Sequence, residues 1–261
     1  MSVKQPTPLR LRPTVGDAIG TTAFFRNRVL NETLLNELLI SGRKHYSILF
    51  HACSIGAEVY SFVIQYLAGG FNEHFSLSCY ATDKQQDFVS YADHAQFPQE
   101  ILQGCSEAER QYFTIDNGAV SLNSNVKRTV EFLPAADFAS FDSERSYDVV
   151  VLLNALVYVS AEMQAEVFDR VSSYNPGWLV TSGFHQATIK KDLQRNGYSP
   201  VETAMEEIHM SWTDRLREKP VPQEALPPNI FTDWSLPAFS EVPDYRYRYC
   251  AIFSKDGPLN A

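Results

Sequence analysis

The stretch "SILFHACSIGAEVYSFVIQYLAGG", Ser47 to Gly70, decides how the rest of the chain is read. Residues 47–54 form a short apolar run of strand-forming residues, and Gly56 turns the chain. Val59, Phe62, Val63, Tyr66 and Leu67 then recur at helical spacing until Gly69-Gly70 stops the helix. The turn carries a single glycine, and a carboxylate, Glu58, stands in the first helical turn. A dinucleotide loop needs several glycines and avoids negative side chains where the pyrophosphate meets the helix N-terminus. Glu58 would repel a phosphate and welcome an ammonium group.

The next segment, "FSLSCYATD" (75–83), alternates like a second strand and ends in Asp83, 27 residues after Gly56. An acid at that strand end suits the two hydroxyls of a ribose. A ribose joined to an amino acid, with no phosphate, describes S-adenosyl-L-methionine. Packing and helix-dipole preference produce the same letters at a strand-to-helix turn, so taken singly the motif leaves both readings open.

Outward from this unit the chain alternates strands and helices. A helical pattern starts near Thr22 in "TAFFRNRVLNETLLNELLIS", and "QDFVSYADHA" continues as a helix after Asp83. Ser106 is an N-cap for "EAERQYF", and a hairpin turns at Asn117-Gly118. "YDVVVLLNALVY" (147–158) is the near-continuous apolar run of a central parallel strand. Ser160 caps the next helix, Asn175-Pro176-Gly177 ends it, and "WLVTSG" is a further strand. The alternation predicts a doubly wound α/β fold with a seven-stranded, mostly parallel sheet, helices on both faces and a ligand crevice at the carboxyl ends of the strands. Residues 1–20 read as an irregular arm and 21–261 as one domain, with a hairpin excursion over 112–132. A proline-rich cover segment over 219–243 leads into a last strand, "YRYRYCAIFS".

Composition removes several classes. Of 261 residues 44% are hydrophobic and 20% charged, which suits a globular chain. The net charge of -9 argues against a nucleic-acid footprint. No 18-residue apolar run and no N-terminal h-region is present, so neither a membrane span nor a signal peptide is expected, and the expected location is cytoplasmic. The four cysteines and six histidines lack metal-ligand spacing, and no metal is expected.

Five segments in order resemble the CheR-type methyltransferases, which in chemotaxis methylate glutamate side chains of receptors. "TAFFRNR" resembles T-x-F-F-R-[DE], "ACSIGAEVYS" resembles A-C-S-T-G-E-E-P-Y-S, and "YATDK" resembles A-T-D-I. "ERQYF" through "VEF" is similar to the segment ending in V-x-F, and "LLNALVYVS" to C-R-N-V-L-I-Y-F. The resemblance implies a class I, Rossmann-like methyltransferase fold with S-adenosyl-L-methionine as cofactor. It implies that Thr22 and Arg26 lie over the cofactor near the methyl group, and that Ala52, Gly56 and Glu58 meet its methionine part, with Glu58 on the ammonium. It further implies Asp83 on the ribose, Asp137 on the neighbouring loop, Asn154 and Ala155 beside the sulfonium, and Tyr158 facing the reacting methyl. Arg26 and Tyr158 are thus the candidate catalytic residues.

The chain departs from the family pattern at Ala57 (glutamate), Val59 (proline) and Leu153 (arginine), and "LPAAD" replaces the usual Asn-Leu. Only 21 residues precede Thr22, where the chemotaxis enzymes carry a helical domain, which argues against a chemoreceptor substrate. The expected acceptor is a small molecule or carrier-bound metabolite with an oxygen nucleophile such as a carboxylate. His185, Trp212 and Arg215 are its candidate contacts, a base, a stacking ring and a carboxylate partner. Two alternatives share the fold: cyclisation of the cofactor's aminobutyrate chain to azetidine-2-carboxylate with release of methylthioadenosine, and a cofactor-binding regulator without catalysis.

Overall fold

A computed structural model describes residues 9, 11–15, 18–20, 22–156, 159–182, 190–218 and 244–255, with backbone alone at 18, 19, 161, 162 and 212–218. Two short strands, β1 (Thr14–Val15) and β2 (Ala18–Ile19), form a small hairpin ahead of α1 (Arg28–Ser41). Then follow β3 (His45–Phe50), α2 (Ala57–Ala68), β4 (Ser76–Ala81) and α3 (Gln86–His94). The middle of the chain holds β5 (Gln96–Pro98), α4 (Glu107–Arg110), β6 (Phe113–Asp116), β7 (Ala119–Leu122), α5 (Ser124–Lys127) and β8 (Val130–Phe132). The last part runs β9 (Val149–Leu153), α6 (Ala161–Ser173), β10 (Trp178–Ser182), α7 (Lys190–Arg195) and β11 (Ser199–Pro200). It ends with α8 (Met205–Glu218), α9 (Tyr245–Tyr249) and β12 (Ile252–Ser254).

The main sheet has seven strands in the order β11-β12-β10-β9-β3-β4-β8, parallel except where β12 pairs with β10 and β11. The chain moves outward from β3 to β4 and β8, then returns to β9 on the other side of β3. The order therefore reverses between β3 and β9, and in an open α/β sheet that switch point opens the ligand crevice at the strands' carboxyl ends. Alternate side chains divide the core. Ile48, Phe50, Val149, Val151 and Val180 pack with residues of α1 and α2, while Leu49, Val150, Leu152 and Leu179 pack with Val167, Phe168 and Val171 of α6. Each fully buried side chain of this kind stabilises the fold by about 1.5–3 kcal/mol. β9 is buried at every position, as its unbroken apolar run requires.

β5, β7 and β6 make a separate antiparallel sheet that projects from the chain between α3 and β8. Its β6–β7 turn is the expected Asn117-Gly118, both with positive φ (49° and 80°), as a two-residue hairpin of this twist needs. β5 joins from upstream, a third strand that the hairpin signal alone did not reveal.

Three expectations are corrected. The arm is not irregular where it is described: Thr14–Val15 pairs antiparallel with Ala18–Ile19, and Leu11 bridges Thr22. Thr22–Asn27 is not helical: residues 24–27 form a turn with Phe25 at φ 58°, and the helix begins at Arg28. Burial of both Phe24 and Phe25 outweighs the helical spacing there. "YRYRY" is a helical turn rather than a strand, with the Arg248 N–H donating to the Asp244 carbonyl at 3.0 Å. Side-chain pairing from Arg246 and Tyr245 to Glu202, and from Lys190 to Asp244, overrides the two-residue alternation. The arm residues 1–8, Tyr158, His185 and segment 219–243 lie outside the described residues.

Candidate functional site

The β3–α2 connection is a run of tight conformations. Ala52, Ser54 and Gly56 all have positive φ (52°, 49° and 80°), so the chain turns sharply as it leaves β3 beside the switch point. At Gly56 a Cβ would lie 3.0 Å from both the Ala92 Cβ and the Tyr60 ring, so glycine is required for space as well as for conformation. Across the switch point β9 ends in the same way, with Asn154 at φ 55° and its N–H donating to the Ser182 carbonyl at 3.0 Å. Ala155 is buried just beyond it.

Asp83 lies two residues beyond the end of β4 and is buried. Its two carboxylate oxygens accept from the Ser54 N–H (2.8 Å) and the Gln85 N–H (3.0 Å). The carboxylate thus ties the first crevice loop to the second strand end, and each oxygen keeps a further lone pair for a donor such as a hydroxyl. The Asp83 carbonyl accepts from the Ala136 N–H at 3.0 Å, which draws the loop after β8 to the same place. Asp137 sits in that loop, where its carboxylate accepts from the Ala139 N–H at 2.9 Å and shapes a local turn.

The segment before α1 lies against the β3–α2 connection. A Cβ on Gly20 would come within 2.8 Å of Ser54 Oγ, the Phe25 N–H donates to Ser61 Oγ at 2.8 Å, and Arg26 forms an ion pair with Glu58. The pair is partly shielded, with side-chain exposures of 16% and 10%. Thr22 Oγ1, Ser54 Oγ and Ser182 Oγ are buried with no hydrogen-bond partner among the described residues. Buried polar atoms left in this state cost free energy unless something completes them.

The structure therefore brings Arg26, Ala52, Gly56, Glu58, Asp83 and Asn154 to one end of the sheet, with Thr22 and Ala155 next to them in the chain. Trp212 and Arg215 fall on α8, whose backbone alone is described at those positions. Their side chains, like Tyr158 and His185, lie outside the described residues. Cys53 is buried within the loop, and burial together with the Asp83 charge holds its thiol well above the usual range, so it is no nucleophile.

His51 carries no signal in the sequence, yet it is a strongly perturbed group beside the loop. It is buried against Phe141 (5.1 Å, edge to face), Phe138 and Tyr174, with neither ring nitrogen hydrogen-bonded, and burial lowers its pKa to about 3.

A ligand with an ammonium and a vicinal diol fits this set: one carboxylate at each of two strand ends, and orphaned hydroxyls beside the first. S-adenosylmethionine has those groups. Its residues here would be Glu58 and Asp83, with the Ala52–Gly56 and Asn154 turns against it.

Comparison with known proteins agrees. Residues 20–181 match the family profile described as CheR methyltransferase, SAM binding domain. A chemotaxis protein methyltransferase of Vibrio parahaemolyticus is 30% identical over 186 residues, covering 66% of this chain and 67% of that protein. One of Listeria innocua is 26% identical over 157 residues, covering 58% of this chain and 59% of that protein. The match thus spans about three fifths to two thirds of these relatives' length. Among solved structures, magnesium protoporphyrin IX methyltransferase of Synechocystis PCC 6803 with bound SAM aligns with a TM-score of 0.43 at 17% identity, over 67% of this chain and 71% of that one. With a single profile covering the arm-to-β10 core and every strand end just described, the chain belongs to the CheR methyltransferase family and carries its S-adenosylmethionine-binding domain.

Proposed function

We propose that the protein transfers a methyl group from S-adenosylmethionine to an oxygen nucleophile, of carboxylate type, on a small or carrier-bound acceptor. The observation that carries this reading is the Arg26–Glu58 pair at the switch point, beside Asp83. When bound, S-adenosylmethionine supplies an electrophilic methyl carbon on a sulfonium. Glu58 would hold its ammonium and Asp83 its ribose diol. Arg26, still paired with Glu58, would keep that carboxylate aimed at the ammonium and would orient the acceptor's carboxylate for in-line attack. Positioning supplies most of the catalysis in such a displacement. Before ligands arrive the two charges neutralise each other, so neither stands unpaired in a half-buried crevice. Tyr158, four residues beyond the Asn154 turn, is proposed to face the reacting carbon. His185, Trp212 and Arg215 are proposed for the acceptor side.

The relatives' name, chemotaxis protein methyltransferase, favours a second acceptor class, a protein carboxylate. Incubation with S-adenosylmethionine and a panel of small carboxylic acids, carrier-bound acids and chemotaxis proteins tests both. S-adenosylhomocysteine and a base-labile ester formed only with an acceptor support methyl transfer, and the productive acceptor names its class. Enzyme-dependent methylthioadenosine without acceptor would instead assign chemistry to the aminobutyrate chain, whose amine Glu58 is expected to keep protonated. Turnover with no acceptor class, despite cofactor binding, would leave a regulator.

A further inference from the structure

Arg26 is presented by a turn that its own sequence does not favour. Phe25 adopts φ 58°, a conformation costly for a bulky residue, and such a residue persists only where its surroundings over-determine it. On one side α2 holds the turn: the Phe25 N–H donates to Ser61 Oγ, whose hydroxyl donates to the Ala57 carbonyl at 2.5 Å. On the other side everything comes from the β5–β7 excursion. Phe24 packs edge to face on Phe97 (4.9 Å) and Phe113 (5.7 Å). Arg28 is buried and grips Glu109 of α4 in a bidentate pair, Nε to Oε1 at 3.1 Å and Nη2 to Oε2 at 2.5 Å. The same guanidinium donates to the Gly104 carbonyl at 2.7 Å and to the Phe25 carbonyl at 3.5 Å, and lies over the Phe25 ring. Glu109 is fixed in turn by a capping box, accepting from the Ser106 N–H at 2.7 Å.

We infer that Glu109 is a positioning residue for the crevice: through the buried Arg28–Glu109 pair it fixes the left-handed turn that presents Arg26 to Glu58. The inference rests on the proposed role of Arg26 in the crevice. A planar guanidinium with all these partners tolerates little rotation. Buried ion pairs contribute little net stability over apolar pairs of the same shape, so this one is better explained by the geometry it enforces. The coupling path is short: Glu109 to Arg28, Arg28 to the Phe25 carbonyl, and one peptide on to Arg26.

The test uses Glu109→Gln in the full chain, with two readouts. In ligand-free protein the Arg26 side-chain Nε–Hε resonance, assigned with Arg26→Lys, reports the pair with Glu58 directly. Calorimetric titration with S-adenosylhomocysteine reports the crevice. The expected result is a shifted, faster-exchanging Arg26 resonance and affinity reduced about tenfold, the scale of one misplaced charge-assisted contact. On an Arg26→Ala background, Glu109→Gln should change affinity by less than about twofold, because residues acting as one unit are not additive. An unmoved Arg26 resonance, or equal affinity losses on both backgrounds, overturns the proposal. If Glu109→Gln does not fold, the double variant Arg28→Met, Glu109→Leu replaces the pair with an apolar one. It should regain the melting temperature yet keep the affinity deficit, and full affinity would overturn the proposal. Should wild type bind no S-adenosylhomocysteine, the cofactor reading fails, and the Arg26 resonance alone decides the positioning claim.

Discussion

Arg26 and Arg28 stand two residues apart on one turn and face opposite regions, and each has a glutamate partner. The excursion side is saturated: Arg28 and Glu109 are buried, bidentate, and each is bonded to further backbone groups. The crevice side is open-ended. Arg26 and Glu58 remain partly exposed, and buried hydroxyls close by have no partner among the described residues. A buried, bidentate pair serves the fold, while a partly exposed one beside hydroxyls that lack partners among the described residues leaves room for a ligand. The contrast separates positioning groups from binding groups without reference to motif.

The largest expected effect falls on the saturated side. Glu109→Ala leaves the Arg28 charge buried and uncompensated, and should lower unfolding free energy by about 3–5 kcal/mol in urea titration. A loss as small as that of an exposed pair would erase the contrast. His51 sharpens it from a third position, a buried polar group enclosed by aromatic rings. Its folded pKa of about 3 lies below the unfolded value, so the unfolded chain binds the extra proton between those limits. This contribution is fully present above about pH 6.5 and is lost as pH falls, by up to ~1.4 kcal/mol per pH unit until about pH 3. Urea midpoints of wild type should therefore fall more steeply between pH 7 and 4.5 than those of His51→Phe. Parallel curves would place His51 in a wetter site. Asp83 combines both characters, since its oxygens serve backbone N–H groups and are proposed to serve a ribose. Asp83→Asn should cost about 1–3 kcal/mol of stability by stranding one N–H donor, and should weaken cofactor binding as well. Stability loss with unchanged affinity would move Asp83 wholly to the structural side.

Much of this was legible because the decisive signals are local. Gly56 at the end of an apolar strand, Glu58 in the first helical turn, and the unbroken 149–153 run each report their own surroundings. The sheet order follows from the alternation of such units. What the letters hide is set by distant contacts. The Phe25 turn depends on Ser61 and Glu109, more than 30 and 80 residues away. The helical turn of "YRYRY" depends on Glu202 and Lys190. β5 is too short to announce itself before β7 pairs with it. In the candidate site the charged residues stand out by type and spacing, whereas His51 is notable only for what surrounds it.

The central claim is that the crevice binds S-adenosylmethionine with Glu58 on its ammonium, and calorimetric titration of wild type and Glu58→Gln is its most direct test. The account predicts saturable 1:1 binding to wild type, about tenfold weaker binding to the variant from loss of a charge-assisted contact, and a melting temperature almost unchanged. No binding to wild type, or equal affinity in the variant with only a small loss of thermal stability, would contradict it and reduce Glu58 to a helix N-terminal charge.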